Sequence, residues 1–203
     1  MIYRNKLCWF STILLLLMVS LANADTPLDS GTANTSEVHI LIRKAVEQGQ
    51  VDAQFRLGVL YYDGVSVTQD YVEASKWFRK AAEQGQAETQ FILGNLYSDG
   101  VGAVQNYAEA FKWHSKAAEQ GHTKAQLRLG LIYYKGEGVD RNSIMSYMFT
   151  ILAAAQGEKS SFVLRDLVLE ELSNEQIVEA QRIASEWRVN TSLPCPKDFK
   201  TWP

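Results

Sequence analysis

From residue 37 onward, apolar side chains recur at the spacing of amphipathic helices, and this pattern itself repeats along the chain. Four phrases of the AAEQG type end in Gly49, Gly85, Gly121 and Gly157, each 36 residues after the one before. Self-similarity at such a period is typical of proteins built from stacked units. The pattern therefore predicts an all-α solenoid of helix-turn-helix repeats, with units at residues 51–86, 87–122 and 123–158.

Each unit predicts two helices, here named A and B, that are joined by a short loop. In the first unit, Gly64 is placed to end helix A, because glycine accepts positive φ without strain. Asp70 has the position of an N-cap for helix B, and Glu73 follows three residues later, as in a capping box. Asn106 and Glu109 repeat this spacing in the second unit, so we expect two capping boxes.

A glycine lies in the middle of each A helix, at Gly58, Gly94 and Gly130. Glycine at an interior helix position costs roughly 1 kcal/mol relative to alanine. Because it recurs at the same place, we expect the partner helix to approach so closely that a Cβ atom would be blocked.

The ends of a solenoid must cover apolar faces that have no further repeat beside them, so they should differ from the repeats. The sequence pattern predicts a lone B helix at the start and a final helix pair at the end, where we expect Leu167 and Trp187 to face inward. This gives capping helices at 37–48 and 160–188, a solenoid over 37–188, and an irregular tail at 189–203.

The first 24 residues have the pattern of a secretory signal peptide. Arg4 and Lys6 precede an apolar run of 14 residues, and an A-x-A site ends at Ala24. Because a membrane-spanning helix needs roughly 20 apolar residues, we expect cleavage after Ala24, with an uncleaved anchor as the alternative. Residues 25–36 are polar and are predicted to be a flexible leader. The protein is therefore expected to be periplasmic or secreted, without membrane insertion after cleavage.

The composition narrows the classes of function. Hydrophobic residues make up 46% and charged residues 21% of the 203 residues, as in ordinary globular proteins, and a net charge of −3 gives no basic field for nucleic acid. Two cysteines and three histidines leave little for a metal site, and no catalytic or cofactor-binding motif is present. We therefore expect no catalytic residue, no cofactor and no metal, and we expect His114 to be a partly exposed helix residue.

The residues that recur in register form one long phrase. In the first unit it is A-Q-x-x-L-G-x-x-Y-x-x-G, followed after the loop by D-Y-x-x-A-x-x-W-x-x-K-A-A-E-Q-G. This phrase resembles the Sel-1-like repeat, a relative of the tetratricopeptide repeat. The second unit keeps most of it, whereas the third has Phe149 and Leu152 in place of the tryptophan and the lysine. The resemblance implies a right-handed α-solenoid that binds other proteins, often as an adaptor, and that has no catalysis of its own.

The resemblance also implies which face binds a partner. In tetratricopeptide arrays the concave groove is lined mainly by helix A positions outside the packing signature. Phe55, Phe91 and Leu127 are expected in the core instead, because their apolar character recurs. Alignment on the signature leaves these predicted partner-binding residues: Asp52, Val59, Tyr62, Asp63, Glu88, Asn95, Asp99, Lys124, Leu131, Tyr134 and Lys135.

The charge along this row changes sign. The first two units place acidic residues in it, and the third places Lys124 and Lys135. We hypothesise a groove that is acidic at one end and basic at the other, which would suit an extended peptide of mixed charge. The alternative is an ordinary solvated helix face. Within the row, Tyr62, Asn95 and Tyr134 are the favoured contacts, the tyrosines because aromatic side chains give a large contact area.

Several functions are compatible with such a module. The favoured one is a protein-binding adaptor or regulator in the cell envelope. A host-directed secreted factor would differ in its partner and its final location. A structural envelope scaffold with several weak partners is a third possibility. A β-lactam-binding or β-lactam-hydrolysing cell-wall protein is the least favoured, because the family members linked to that activity carry paired cysteines in each repeat and this sequence does not.

Overall fold

In the computed structural model, residues 35–187 are described, and within them the chain forms helices and short loops with no strand. The predicted all-α fold of helical hairpins is confirmed. The predicted signal peptide at 1–24, the leader up to residue 34 and the tail at 189–203 lie outside the described residues. The helices are α1 (Thr35–Glu47), α2 (Val51–Asp63), α3 (Tyr71–Glu83), α4 (Ala87–Asp99), α5 (Tyr107–Glu119), α6 (Thr123–Lys135), α7 (Ser143–Ala155), α8 (Ser160–Leu169) and α9 (Asn174–Glu186).

The helices stack in chain order until the last one. Each helix from α1 to α7 packs against the next, and α2, α4 and α6 are the A helices whose B partners are α3, α5 and α7. The last helix departs from this order, because α9 packs against α7. Helix α1 begins at Thr35, two residues before the predicted start, and Glu37 lies in its first turn, where a negative charge is favoured by the helix dipole. None of the helices in residues 35–187 has the length and apolar content needed to span a bilayer.

The loops between A and B helices have the expected terminal glycine and the expected N-cap, but they lack the second bond of the capping box. Each A helix ends at a glycine in the left-handed region, with φ of 71°, 70° and 75° at Gly64, Gly100 and Gly136. At the start of α3, Asp70 accepts hydrogen bonds from the amides of residues 72 and 73 and so caps the helix. The predicted capping box is nevertheless wrong, because Glu73 binds Lys76 at 2.5 Å instead of returning a bond to the cap.

The second predicted capping box is wrong for the same reason. Asn106 caps α5 by accepting a hydrogen bond from the amide of Glu109, but the Glu109 carboxylate lies 3.5 Å from Lys112 Nζ. A lysine one turn further along the helix competes for the glutamate in both units. A complete capping box is present at Ser173 and Gln176, at the start of α9.

The glycines inside the A helices allow the B helices to approach closely. A Cβ atom built on Gly58 would lie 2.6 Å from the ring of Phe78, and one on Gly94 would lie 2.6 Å from the ring of His114. The predicted close approach is therefore confirmed, and the contact is made by a side chain of helix B that packs over the glycine.

A pair of glutamines joins the two helices of each unit. The buried glutamine of helix A accepts a hydrogen bond from the glutamine after helix B, and Gln90 also donates to the carbonyl of Ala82 in the preceding unit at 3.0 Å. The pairs are Gln84 to Gln54, Gln120 to Gln90 and Gln156 to Gln126, at 2.7, 2.7 and 2.6 Å. Because these bonds repeat every 36 residues, the two helices of each unit are joined in the same way.

Aromatic rings form the core at the C-terminal end. Successive centroids of Phe111, Tyr133, Phe149 and Trp187 are 5.7, 5.9 and 5.2 Å apart. The last contact joins the end of α9 to α7. The expectation for Leu167 is wrong, since its side chain is exposed, and Leu164 and Val168 are buried instead because they share the face of α8 that packs on the preceding hairpin.

Candidate partner-binding surface

The predicted partner-binding residues all lie on α2, α4 and α6, and none of them is buried. The apolar residues that were assigned to packing are partly buried; the Phe55 ring, for example, is 5.9 Å from that of Phe78. We call the surface formed by the three A helices the helix-A face. Two cavities open on it, and their lining residues are related by the 36-residue period.

Cleft 1 lies between α2 and α4 and has a volume of about 400 Å³. Its walls are largely apolar, with Ile92 and Leu96 on α4 and Phe78 of α3 at the base. Five of the predicted residues line it: Val59, Tyr62, Asp63, Asn95 and Asp99.

Cleft 2 lies between α4 and α6 and has a volume of about 350 Å³. Its lining is more polar, because His114 occupies the position that Phe78 has in cleft 1 and Ser98 occupies that of Tyr62. Three predicted residues line it: Asp99, which it shares with cleft 1, Leu131 and Lys135.

Arg128 on α6 lines both clefts, and the sequence analysis did not select it. Within residues 35–187 its guanidinium group has no hydrogen-bonded or ion-paired partner. The corresponding residues of the first two units are Arg56 and Ile92, and this position is not among the groove positions that the resemblance to tetratricopeptide arrays implies.

The remaining predicted residues lie outside both clefts. Asp52 and Lys124 are exposed at the starts of α2 and α6. Glu88 is paired with His122, whose Nε2 lies 2.9 Å from the carboxylate. Tyr134 is covered by Arg141, whose guanidinium carbon is 5.3 Å from the ring centroid.

These contacts modify the hypothesis of an acidic and a basic end. In the acidic units, Glu88 lies outside both clefts and its carboxylate is 2.9 Å from His122 Nε2. In the basic unit, Lys135 Nζ lies 3.4 Å from Glu137. The charges without an ion pair at the clefts, among the described residues, are Asp63, Asp99 and Arg128.

His114 lies beneath the helix-A face and is fully buried, so the expectation of partial exposure is wrong. Neither of its ring nitrogens has a hydrogen-bond partner among the described residues. Burial, followed by the charges of Arg128 and His122, lowers the pKa of His114 to about 3. The imidazole is therefore neutral at physiological pH. Its burial was missed because a histidine at an aromatic packing position was judged by its polarity instead of by its register.

The groups that line the two clefts are suited to binding a ligand. Within residues 35–187, no group of three His, Cys, Asp or Glu side chains is placed to hold a metal ion. The clefts offer apolar walls, carboxylates, the side-chain amides of Asn95 and Gln105, and the guanidinium group of Arg128. A few polar groups placed around apolar walls can fix the orientation of a bound segment.

Comparison with known proteins gives matches to one kind of repeat. The family model "Sel1 repeat" matches residues 51–86, 87–122 and 123–158. The chain is similar to the crystal structure of c5321, described as a protective antigen present in uropathogenic Escherichia coli strains displaying an SLR fold. The TM-score is 0.67 and the identity 32%, over 76% of this chain and 33% of that one.

A second similar structure is a Sel1 repeat protein from Oxalobacter formigenes, with a TM-score of 0.64 and 30% identity over 75% of this chain and 65% of that one. The chain thus spans a third of the length of the first protein and just under two thirds of the second. A comparison with curated proteins gives no match.

Proposed function

The chain belongs to the Sel1 repeat family, and we propose that it is a non-catalytic adaptor, exported to the cell envelope, that binds a partner protein through its helix-A face. Sel1 repeat proteins are generally protein-interaction modules. The observation that carries the proposal is the pair of clefts, in register, between successive A helices. Apolar walls beside unpaired charges are suited to recognition of a polypeptide segment.

On the surface formed by the B helices, the recurring lysines are engaged by neighbouring side chains. Lys76 is paired with Glu73, and Lys80 Nζ lies 4.1 Å from the centroid of the Trp77 ring. The same contacts recur on α5, and α7 is covered by α9. This difference between the two surfaces supports binding at the helix-A face.

Crosslinked affinity capture of the exported protein from its own envelope fraction tests the proposal. The variant Tyr62→Ala/Asn95→Ala alters two residues of cleft 1. The matched control Lys76→Ala/Lys112→Ala alters two exposed residues on the B helices. We expect a dominant partner that is lost with the first variant and retained with the second. Loss with the control and retention with the cleft variant would place the binding surface on the other side.

Export is supported by the sequence of residues 1–24 and is tested separately. Mass spectrometry of the protein purified from its native host should give Asp25 as the N-terminal residue. An intact N-terminus in a membrane fraction would instead support the uncleaved anchor.

A host-directed secreted factor is the second candidate. It is favoured by the similarity to c5321, which is described as a protective antigen. Fractionation distinguishes the two candidates, because an envelope adaptor should be recovered from the periplasm and a host-directed factor from the culture medium.

A further inference from the structure

Cleft 1 contains several hydrogen-bond acceptors that lack a donor. Asn95 Oδ1 is buried and has no hydrogen-bond partner among the described residues. Asp63 and Asp99, which line the same cleft, form no ion pair within residues 35–187. Buried polar atoms are almost always hydrogen-bonded, so an acceptor that is left open beside two carboxylates indicates that a donor belongs there.

The walls of cleft 1 define what kind of donor fits. Val59, Ile92 and Leu96 provide apolar surface, and Tyr62 lies at the rim with 38% of its surface exposed. Lysine and arginine bury their methylene groups against apolar surface while the charged end reaches polar partners. The face of a tyrosine ring also attracts a cation. A long cationic side chain therefore matches both the walls and the acceptors.

At the boundary with cleft 2, Arg128 requires an acidic group of the ligand, whereas cleft 1 requires a cation. It has no ion-paired partner among the described residues, whereas the nearby Lys135 is neutralised by Glu137. Guanidinium groups bind carboxylates in a bidentate geometry. An acidic side chain of a bound segment would satisfy Arg128 and would also shield it from the cation in cleft 1.

Resting on the proposed function, we propose that the helix-A face binds an extended segment of a partner protein that places a lysine or arginine side chain in cleft 1 and an acidic side chain at Arg128. Because Arg128 lines both clefts, the two side chains must come from nearby positions. An extended chain advances about 3.3 Å per residue, so a separation of about two to four residues spans roughly 7–13 Å. The proposal thus assigns a positive ligand charge to cleft 1 and a negative ligand charge to the neighbourhood of Arg128.

Selection of a displayed library of random twelve-residue peptides on the folded protein tests this assignment. We expect the enriched peptides to share a basic residue and an acidic residue two to four positions apart. Their affinities are then measured by fluorescence polarisation for the protein and for variants that remove charge at nearly constant size. Asp63→Asn/Asp99→Asn should weaken binding about tenfold or more, the scale of a lost hydrogen bond to a charged group.

The variants also separate the two subsites. Arg128→Gln should weaken binding of the selected peptides but not of versions in which their acidic residue is replaced by its amide. Arg56→Gln is the matched control, because this exposed arginine has the position of Arg128 in the first unit and lies outside both clefts. It should leave the affinities unchanged.

Three results would overturn the inference: no enrichment of peptides, enrichment without a basic residue, or peptides that bind Asp63→Asn/Asp99→Asn as tightly as the parent protein. The capture experiment tests the proposed function separately from the charge assignment. If the captured partner is lost with Tyr62→Ala/Asn95→Ala but no basic peptide is selected, the helix-A face still binds a protein and only the chemistry assigned to cleft 1 is wrong.

Discussion

Replacement of His114 by phenylalanine should stabilise the protein. Both nitrogens of the buried imidazole are without partners among the described residues, and such groups cost about 1–3 kcal/mol when they are left unpaired. The larger ring should fit, because Phe78 packs over Gly58 at the same 2.6 Å from an ideal Cβ position as His114 does over Gly94. We therefore expect His114→Phe to raise the free energy of unfolding at pH 7.5 by about 1–3 kcal/mol.

The increase in the free energy of unfolding caused by His114→Phe should become larger as the pH falls. Burial first, and then the charges of Arg128 and His122, lower the pKa of His114 from 6.5 to about 3 in the folded protein. Below pH 6.5 the unfolded chain binds a proton that the folded chain does not, so His114 lowers the stability progressively from pH 6.5 towards pH 3. Two pH units below the unfolded pKa, at pH 4.5, this amounts to about 3 kcal/mol. His114→Phe removes this loss.

Urea unfolding followed by circular dichroism at 222 nm, at pH 7.5 and 4.5, measures both effects. The other titratable groups are shared by the two proteins, so the change in the difference between them reports His114. The reciprocal variant Phe78→His provides the control, since it should be less stable and should lose further stability at pH 4.5. Equal pH dependence in the parent protein and His114→Phe would refute the reasoning.

Three further substitutions test the packing of the repeats by chemical denaturation. Gly94→Ala should destabilise by about 1–3 kcal/mol despite the better helix propensity of alanine, and the loss should be smaller in a His114→Ala background, because the ring that the new Cβ would meet is then absent. Gln90→Leu should cost about 1–3 kcal/mol, since it removes both hydrogen bonds of the buried amide, the one donated to the Ala82 carbonyl and the one accepted from Gln120. Met148→Lys should cost about 3 kcal/mol or more, because the methionine is fully buried and an unpaired charge would replace it.

The fold could be predicted because its determinants are local and recur at a fixed period. Gly64 ends a helix by its own conformational freedom, and Gly58 permits a contact that recurs in the next unit. The two predicted capping boxes failed because neighbouring side chains compete for the glutamate. Glu73 was assigned to the helix cap, but Lys76, one turn further along, binds it instead. Sequence spacing identifies both possible partners of the glutamate and does not decide between them.

The candidate surface could be predicted less completely than the fold. Register was enough to select five of the helix-A residues that line cleft 1. It could not give their charge balance, because pairs such as Glu88 with His122 join residues 34 positions apart along the chain. Arg128 was missed because its position is not among the groove positions that the resemblance to tetratricopeptide arrays implies.

The divergence of the third unit follows from its place in the stack. Lys76 and Lys112 are exposed on the B helices of the first two units, and the equivalent residue in α7 is the fully buried Met148. The change is required because α9 packs on α7 and would otherwise cover a lysine without a partner. Phe149 replaces the repeat tryptophan at the next position and packs against Trp187. The third unit thus departs from the repeat pattern on its B helix, where it binds the C-terminal cap, while its A helix still completes cleft 2 with Arg128.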